Sequence, residues 1–168
     1  MSRPAVTSVE SLDLNRYIGL WYEIGRLPLR WEQEEASDIT AEYTLEGDGS
    51  VRVDNRCIDK NGAPSQAIGR ATPVASTAGR FQVSFLPEFL RWVPFTKGDY
   101  WVLKIDEAYT VALVGTPDHR NLWLLARDPS IDEATEAAYR AEATRQGFDL
   151  AQWITPTQTG RRVTDDLL

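Results

Sequence analysis

Short runs of alternating apolar and polar residues recur along the chain, separated by clusters of Gly, Pro, Asp and Asn. Alternation with a period of two is typical of strands that bury one face. The pattern predicts eight strands, over 20–27, 38–46, 50–58, 65–73, 79–86, 99–106, 109–115 and 121–127. Tight connections such as 46–49 and 59–62 predict antiparallel neighbours, and closing eight such strands removes both exposed edges. We therefore predict an all-β, eight-stranded, antiparallel up-and-down β-barrel.

An alanine-rich segment after the last strand predicts one C-terminal α-helix over 130–146. Ser130 and Glu133 have the spacing of a capping box, and Gly147 is expected to end the helix. Its apolar stripe is narrow and made mostly of small residues, namely Ile131, Ala134, Ala138 and Ala141. Small residues suit close packing, so we expect this helix to lie on the outside of the barrel.

We expect the chain to divide into three parts. Residues 1–8 form an N-terminal extension, 9–155 hold the barrel and its helix, and 156–168 form a polar tail that we expect to fray. No segment repeats with a period of 20 to 50 residues, which argues against solenoids and propellers.

Two connections are unusually long, Leu27–Asp38 and Leu86–Gly98. They are the first and fifth of the meander, so they should leave the barrel at the same rim, as in a container with a covered entrance. The second contains an apolar loop with Phe89, Leu90, Trp92 and Phe95. Three interpretations of this loop stand: packing across the mouth, peripheral contact with a membrane, and a homodimer contact. Three basic residues flank the apolar loops near the mouth, Arg30, Arg91 and Lys97. They either bind a ligand head group or remain solvated.

Charge and cysteine content narrow the classes of partner. There are 25 acidic and 18 basic residues, a net charge of −7, which disfavours a nucleic-acid partner. Cys57 and His119 are the single residues of their types, which excludes an internal disulfide and a zinc site built on several His or Cys ligands. No apolar run reaches the roughly 20 residues of a membrane-spanning helix, and no signal peptide is evident. We expect a cytoplasmic location for the chain as it stands, or a periplasmic or outer-membrane one if an export segment has been removed.

Three features in order point to a family. Gly19-Leu20-Trp21 opens the first strand, 114–118 precedes the last strand, and that strand ends in Arg127 directly before the helix. This combination resembles the lipocalins, particularly the branch of bacterial lipocalin, plant temperature-induced lipocalin and apolipoprotein D, over residues 9–155. The stretch 98–103 is similar to the same branch. The resemblance implies that Gly19, Trp21 and Arg127 are structural, with Trp21 closing the barrel floor under the Arg127 guanidinium.

The resemblance also implies non-catalytic binding, for transport or storage, of a small hydrophobic ligand. Side chains alternate along a strand, so an inward Trp21 and Arg127 set the phase of their strands. The expected ligand-binding lining is Glu23, Gly25, Ala41, Tyr43, Val53, Asn55, Ala67, Gly69, Phe81, Val83, Phe85, Tyr100, Val102, Ala112, Val114, Trp123 and Leu125. Tyr100, Val102, Ala112 and Val114 enter this set by family analogy, because their strands are apolar on both faces.

The expected lining mixes small residues with aromatic ones, which leaves room for one small ligand. We expect that ligand to be apolar and elongated, such as a fatty acid or a lysophospholipid. Glu23 and Asn55 are the polar exceptions. They either form an internal hydrogen-bond network with Tyr43 or recognise a polar group of the ligand.

Two alternatives belong to other classes of protein. One is a lipocalin-fold enzyme, similar to isomerases that use a cavity cysteine, with Cys57 in that role. The other is haem or tetrapyrrole binding, with His119 as the axial ligand. No P-loop, Gly-rich dinucleotide motif or carboxylate pair is present, and Ser-His-Asp chemistry would depend on His119 alone. We therefore expect no catalysis, no cofactor and no metal.

Overall fold

The computed structural model describes residues 3–28, 35–75, 77–85 and 98–168. Its eight strands are β1 Gly19–Arg26, β2 Ser37–Leu45, β3 Val51–Ile58, β4 Pro64–Pro73, β5 Arg80–Ser84, β6 Gly98–Ile105, β7 Val111–Gly115 and β8 Leu122–Ala126. Each strand pairs with the next, and β1 pairs with β8, so the sheet is a closed antiparallel barrel. The predicted fold class is confirmed, with strand ends within two residues of those predicted.

The barrel has a closed end, here the floor, and an open end, here the mouth. β1 starts at the floor with Trp21 near its beginning, so the connections after β1, β3, β5 and β7 lie at the mouth. The two long connections therefore leave from the same rim, as predicted. Their central parts lie outside the described residues, and with them Phe89, Leu90, Trp92, Phe95, Arg30, Arg91 and Lys97.

A bulge in β1 changes which side chains face inward. Glu23 pairs with Leu125 of β8, but the register then shifts, so that Gly25 faces Leu124 and Arg26 faces Trp123. An extra residue reverses the alternation beyond it. Arg26 consequently shares the inner face with Glu23, while Gly25 turns outward.

The expectation that Gly25 lines the cavity is therefore wrong. A Cβ atom at this position would lie 2.1 Å from Cζ2 of Trp153, which packs on the outside of the barrel. Glycine is required here because an indole occupies the space of any side chain.

Two apolar clusters lie on either side of the barrel wall. The inner one surrounds Trp21 at the floor. The outer one joins the barrel to the C-terminal helix and includes Leu113, Leu124, Tyr139 and Phe148. In the described part of the chain, the inner cluster borders the barrel cavity.

The short helix α1, Leu14–Tyr17, precedes β1 and was not predicted. The long helix α2, Glu133–Arg145, lies on the outside of the barrel, as expected. Neither is long and apolar enough to span a bilayer, and the same is true of every helix in the described ranges.

The predicted start of α2 is wrong by three residues. Asp132 is the N-cap, and its carboxylate accepts a hydrogen bond of 2.7 Å from the Thr135 amide. A charged acceptor forms a stronger bond to a backbone N–H than the Ser130 hydroxyl of the predicted box would. Gly147 does follow the last turn, with a φ of +94°.

The predicted apolar stripe of α2 is also wrong. The helix buries Tyr139 and Ala143, whereas Ala134, Ala138 and Ala141 are exposed. The Tyr139 hydroxyl donates a bond of 3.0 Å to the Val111 carbonyl. A tyrosine buries more apolar area than alanine and finds a polar partner, which decides the orientation of the helix.

The tail is packed on the barrel rather than frayed. Thr157 accepts a backbone bond of 2.8 Å from Asp38, and the Thr159 amide donates to the Asp38 carboxylate at 2.7 Å. Val163 is fully buried, and its carbonyl accepts from Arg56. The polar composition that suggested fraying instead supplies specific partners for β2 and β3.

Candidate functional site: the barrel cavity

A cavity of about 900 Å³ extends from the mouth toward the floor. Most of the predicted lining residues border it, namely Glu23, Ala41, Tyr43, Val53, Asn55, Ala67, Phe81, Val83, Phe85, Tyr100, Trp123 and Leu125. Its wall is mainly apolar, with a few polar groups. This volume lies in the range of ligand pockets, roughly 300–1,000 Å³.

Four predicted lining residues face inward without bordering the cavity. Val102, Ala112 and Val114 are fully buried in the inner cluster. Gly69 pairs with Val53, but the ring of Phe85 covers it, with Cδ1 only 2.8 Å from where a Cβ would be. The absence of a side chain at Gly69 thus accommodates Phe85 and does not widen the cavity.

The floor is sealed by Trp21 and Arg127. The guanidinium carbon of Arg127 lies 3.9 Å from the centroid of the fully buried Trp21 ring, the contact that the resemblance implies. Arg127 also donates hydrogen bonds to the backbone carbonyls of Arg16, Tyr17, Ile18, Leu20 and Tyr109. One side chain therefore ties the end of α1 to β1 and to the loop before β7.

Gly19 is adapted to the same arrangement. Its φ is +104°, a conformation that residues with a Cβ rarely adopt. A Cβ atom there would lie 3.2 Å from Nη1 of Arg127. The backbone at Gly19 can therefore turn into β1 directly beside the guanidinium.

Three phenols form a tyrosine cluster, Tyr17, Tyr43 and Tyr100, and all three border the cavity. The Tyr100 hydroxyl lies 2.5 Å from that of Tyr17 and 2.8 Å from that of Tyr43. Burial raises the pKa of Tyr43 to about 12 and raises the pKa values of Tyr17 and Tyr100 well above their ordinary value. The cluster therefore stays protonated and neutral at physiological pH.

Tyr17 was missed by the sequence analysis because it lies in α1, before the first strand. Its ring stacks on Tyr43 at 5.6 Å and lies 5.2 Å from Trp21. Its backbone carbonyl accepts a bond of 2.8 Å from the Trp21 indole. An aromatic residue four positions before the motif tryptophan was the available signal.

A buried ion pair lies in the wall of β1. Nη1 of Arg26 donates to Oε2 of Glu23 at 2.9 Å, and the two side chains are 0% and 5% exposed. Arg26 was missed because regular alternation places it outward. The pair neutralises the one carboxylate that the sequence placed inside the barrel.

The predicted network of Glu23, Asn55 and Tyr43 does not form. Glu23 pairs with Arg26, and Tyr43 bonds to Tyr100 instead. The Asn55 side chain borders the cavity, and the described residues give it no side-chain hydrogen bond. Recognition of a polar ligand group by Asn55 stays a prediction.

The two residues of the alternative functions lie apart from one another. Cys57 borders the cavity near the mouth. His119 faces outward, with its ring 5.1 Å from Phe148 and Nε2 2.9 Å from the Gln146 carbonyl oxygen. An axial-ligand role for His119 inside the barrel therefore does not fit. Its loop instead contributes Thr116, Asp118 and Asn121 to the cavity wall, residues that the sequence analysis did not single out.

Comparisons with known proteins agree with this geometry. The Lipocalin-like domain family matches residues 12–158. Temperature-induced lipocalin-1 of Arabidopsis thaliana is 36% identical over 146 residues, covering 86% of this chain and 78% of that protein. Outer membrane lipoprotein Blc of Escherichia coli (strain K12) is 37% identical over 157 residues, covering 92% and 84%.

A solved structure shows the same fold at lower identity. Insecticyanin from the tobacco hornworm Manduca sexta superposes with a TM-score of 0.71 and is 20% identical, covering 99% of this chain and 88% of that one. At this identity the likeness concerns the fold alone.

Proposed function

The chain belongs to the lipocalin family, and on that premise we propose that it carries or stores one elongated apolar ligand of the fatty-acid or lysophospholipid type. Lipocalins generally bind or transport small hydrophobic molecules and are generally not enzymes. That the ligand is of the fatty-acid or lysophospholipid type, and that this chain does not catalyse a reaction, are the two parts of our proposal.

The observation that carries the proposal is the apolar cavity of about 900 Å³. Each methylene group removed from water contributes about 0.8 kcal/mol. A chain of about 16 carbons therefore offers enough to reach micromolar affinity after the entropic cost of association. The aromatic residues Tyr43, Phe81, Tyr100 and Trp123 supply broad, apolar contact surface along the cavity.

The direction of the ligand follows from the two ends of the cavity. The floor is closed by the inner cluster. Toward the mouth the wall includes the neutral polar side chains of Asn55, Thr116 and Asn121 and the charged residues Arg56, Asp59, Asp99 and Asp118. A charged head group is costly to remove from water without partners. We therefore place the head group at the mouth and the apolar chain toward the floor.

The first experiment is native mass spectrometry of the purified protein, followed by organic extraction of bound molecules. We expect a 1:1 adduct with an acyl lipid, or a shift to that mass when hexadecanoic acid or lysophosphatidylcholine is added. A protein that stays at its bare mass with both additives contradicts the proposal.

Replacing one aromatic wall residue tests where the ligand lies. Trp123→Ala removes a ring that borders the cavity, and we expect the dissociation constant for hexadecanoic acid to rise about tenfold, or about 1.4 kcal/mol. Trp153→Ala is the matched control, because that indole packs outside the barrel against Gly25. We would measure both affinities by titration calorimetry. Equal affinities of the two variants would mean that the ligand does not contact Trp123 in the cavity.

A further inference from the structure

The tyrosine cluster has one more hydrogen-bond donor than its own bonds use. Three phenol hydroxyls carry three protons, and each hydroxyl donates once. The cluster contains two hydrogen bonds, Tyr17 to Tyr100 and Tyr43 to Tyr100. Whichever hydroxyl donates in each bond, one O–H group is left over.

The protein surroundings do not take up this donor. The described residues offer no other hydrogen bond to any of the three hydroxyls. The rings in contact with them are aromatic, including Trp21, Phe81 and Trp123. The charges of Glu23 and Arg127 lie close enough to act on Tyr43. All three tyrosines border the cavity, so the cluster that carries the unused donor forms part of the cavity wall.

We propose that the tyrosine cluster is a subsite for a neutral oxygen acceptor at the deep end of the ligand, which makes oxygenated acyl chains the preferred class. This inference rests on the proposed function and narrows it. An ω-hydroxy fatty acid is the simplest member of the class, with its carboxylate at the mouth and its terminal hydroxyl at the cluster.

A single donor suits a neutral oxygen better than a charged one. A buried hydroxyl without a partner loses about 2–7 kcal/mol on transfer from water, and one good hydrogen bond compensates much of this. A carboxylate needs several donors to be buried. The cluster offers one, so the carboxylate is expected to remain at the mouth.

The test compares two ligands of matched length, 16-hydroxyhexadecanoic acid and heptadecanoic acid, by titration calorimetry. For the unmodified protein we expect the hydroxy acid to bind at least as tightly as heptadecanoic acid. A hydroxy acid that binds ten or more times more weakly overturns the subsite but leaves the proposed function intact. If neither acid binds, the proposed function fails, and the subsite fails with it.

The decisive variant removes all three hydroxyls, because removing one or two of them still leaves at least one unused donor. In the triple variant Tyr17→Phe, Tyr43→Phe and Tyr100→Phe, we expect the affinity for the hydroxy acid to fall at least tenfold relative to heptadecanoic acid. Removing all partners of a buried hydrogen-bond group with the shape retained is often nearly neutral for folding. An unchanged ratio of the two affinities overturns the proposal.

Tyr17→Phe alone is the matched control. The remaining two hydroxyls share one bond and again leave one donor, so the relative affinity for the hydroxy acid should be retained. If the triple variant does not fold, moving the ligand hydroxyl gives the same answer in the unmodified protein. We expect 12-hydroxyhexadecanoic acid to bind at least tenfold more weakly than the 16-hydroxy isomer, and equal affinities overturn the subsite.

Discussion

The floor and the mouth of this barrel are built from the same strands but packed in opposite ways. At the floor, Trp21, Val102 and Ala112 are fully buried, and Arg127 seals the outside of the indole. Toward the mouth, Phe85 is 42% exposed and Ala67 is also exposed. The closed half resembles an ordinary protein core, whereas the open half keeps its volume. Stability and ligand capacity are therefore carried by different ends of the same sheet.

The largest effect should come from removing the floor indole. Trp21→Ala leaves a cavity under Arg127, and we expect a loss of about 3–5 kcal/mol in the free energy of unfolding. Phe85→Ala at the mouth is the paired control, with an expected loss of about 1 kcal/mol or less, because its ring is already partly solvated. Urea denaturation measures both. Similar losses would mean that the two ends are not packed differently.

A second test separates the inner from the outer face. Gly25→Ala places a methyl group against the Trp153 ring, and overpacking of this kind costs about 1–3 kcal/mol. We expect the affinity for hexadecanoic acid to stay unchanged, since this face lies outside the cavity. In a Trp153→Ala background the same substitution should cost little, as a double-mutant cycle would show. A change in the affinity for hexadecanoic acid would indicate that Gly25 faces the cavity, contrary to this assignment.

The smallest expected effect for a single side chain is the loss of folding stability that each buried tyrosine causes at alkaline pH. The folded-state pKa of Tyr43 is about 12, above the unfolded value of 10.0. Its contribution is therefore fully present below pH 10 and is lost as the pH rises toward 12, by at most about 1.4 kcal/mol per pH unit for each phenol. We expect the triple phenylalanine variant to lose less stability than the unmodified protein between pH 9 and pH 11. Parallel losses in urea midpoint would contradict this assignment.

The sequence analysis predicted the sheet well because alternation, tight turns and one anchored tryptophan are local signals. They located all eight strands, and most of the residues that they assigned to the cavity wall do border the cavity. The prediction also assumed regular alternation beyond Glu23, where the bulge interrupts it. A bulge adds one residue without changing the apolar pattern, so Gly25 was assigned to the wrong face and the inward position of Arg26 was missed.

The other differences arise from long-range contacts. Tyr17 borders the cavity from α1, and Arg127 donates hydrogen bonds to the last carbonyls of that helix. The polar tail packs because Asp38 and Arg56 meet it across more than a hundred residues of sequence. Neither partner can be identified from residues near these segments, since both contacts depend on how the barrel closes.

The aromatic residues of the interior also have an optical consequence. Trp123 stacks on Tyr100 at 6.5 Å between ring centroids and borders the cavity, whereas Trp21 is sealed at the floor beneath a guanidinium. A molecule bound in the cavity therefore changes the surroundings of the Trp123 indole and leaves those of the Trp21 indole unchanged. The fluorescence of Trp123 should thus respond to ligand binding in the cavity. The fluorescence of Trp21 should respond only to unfolding of the barrel.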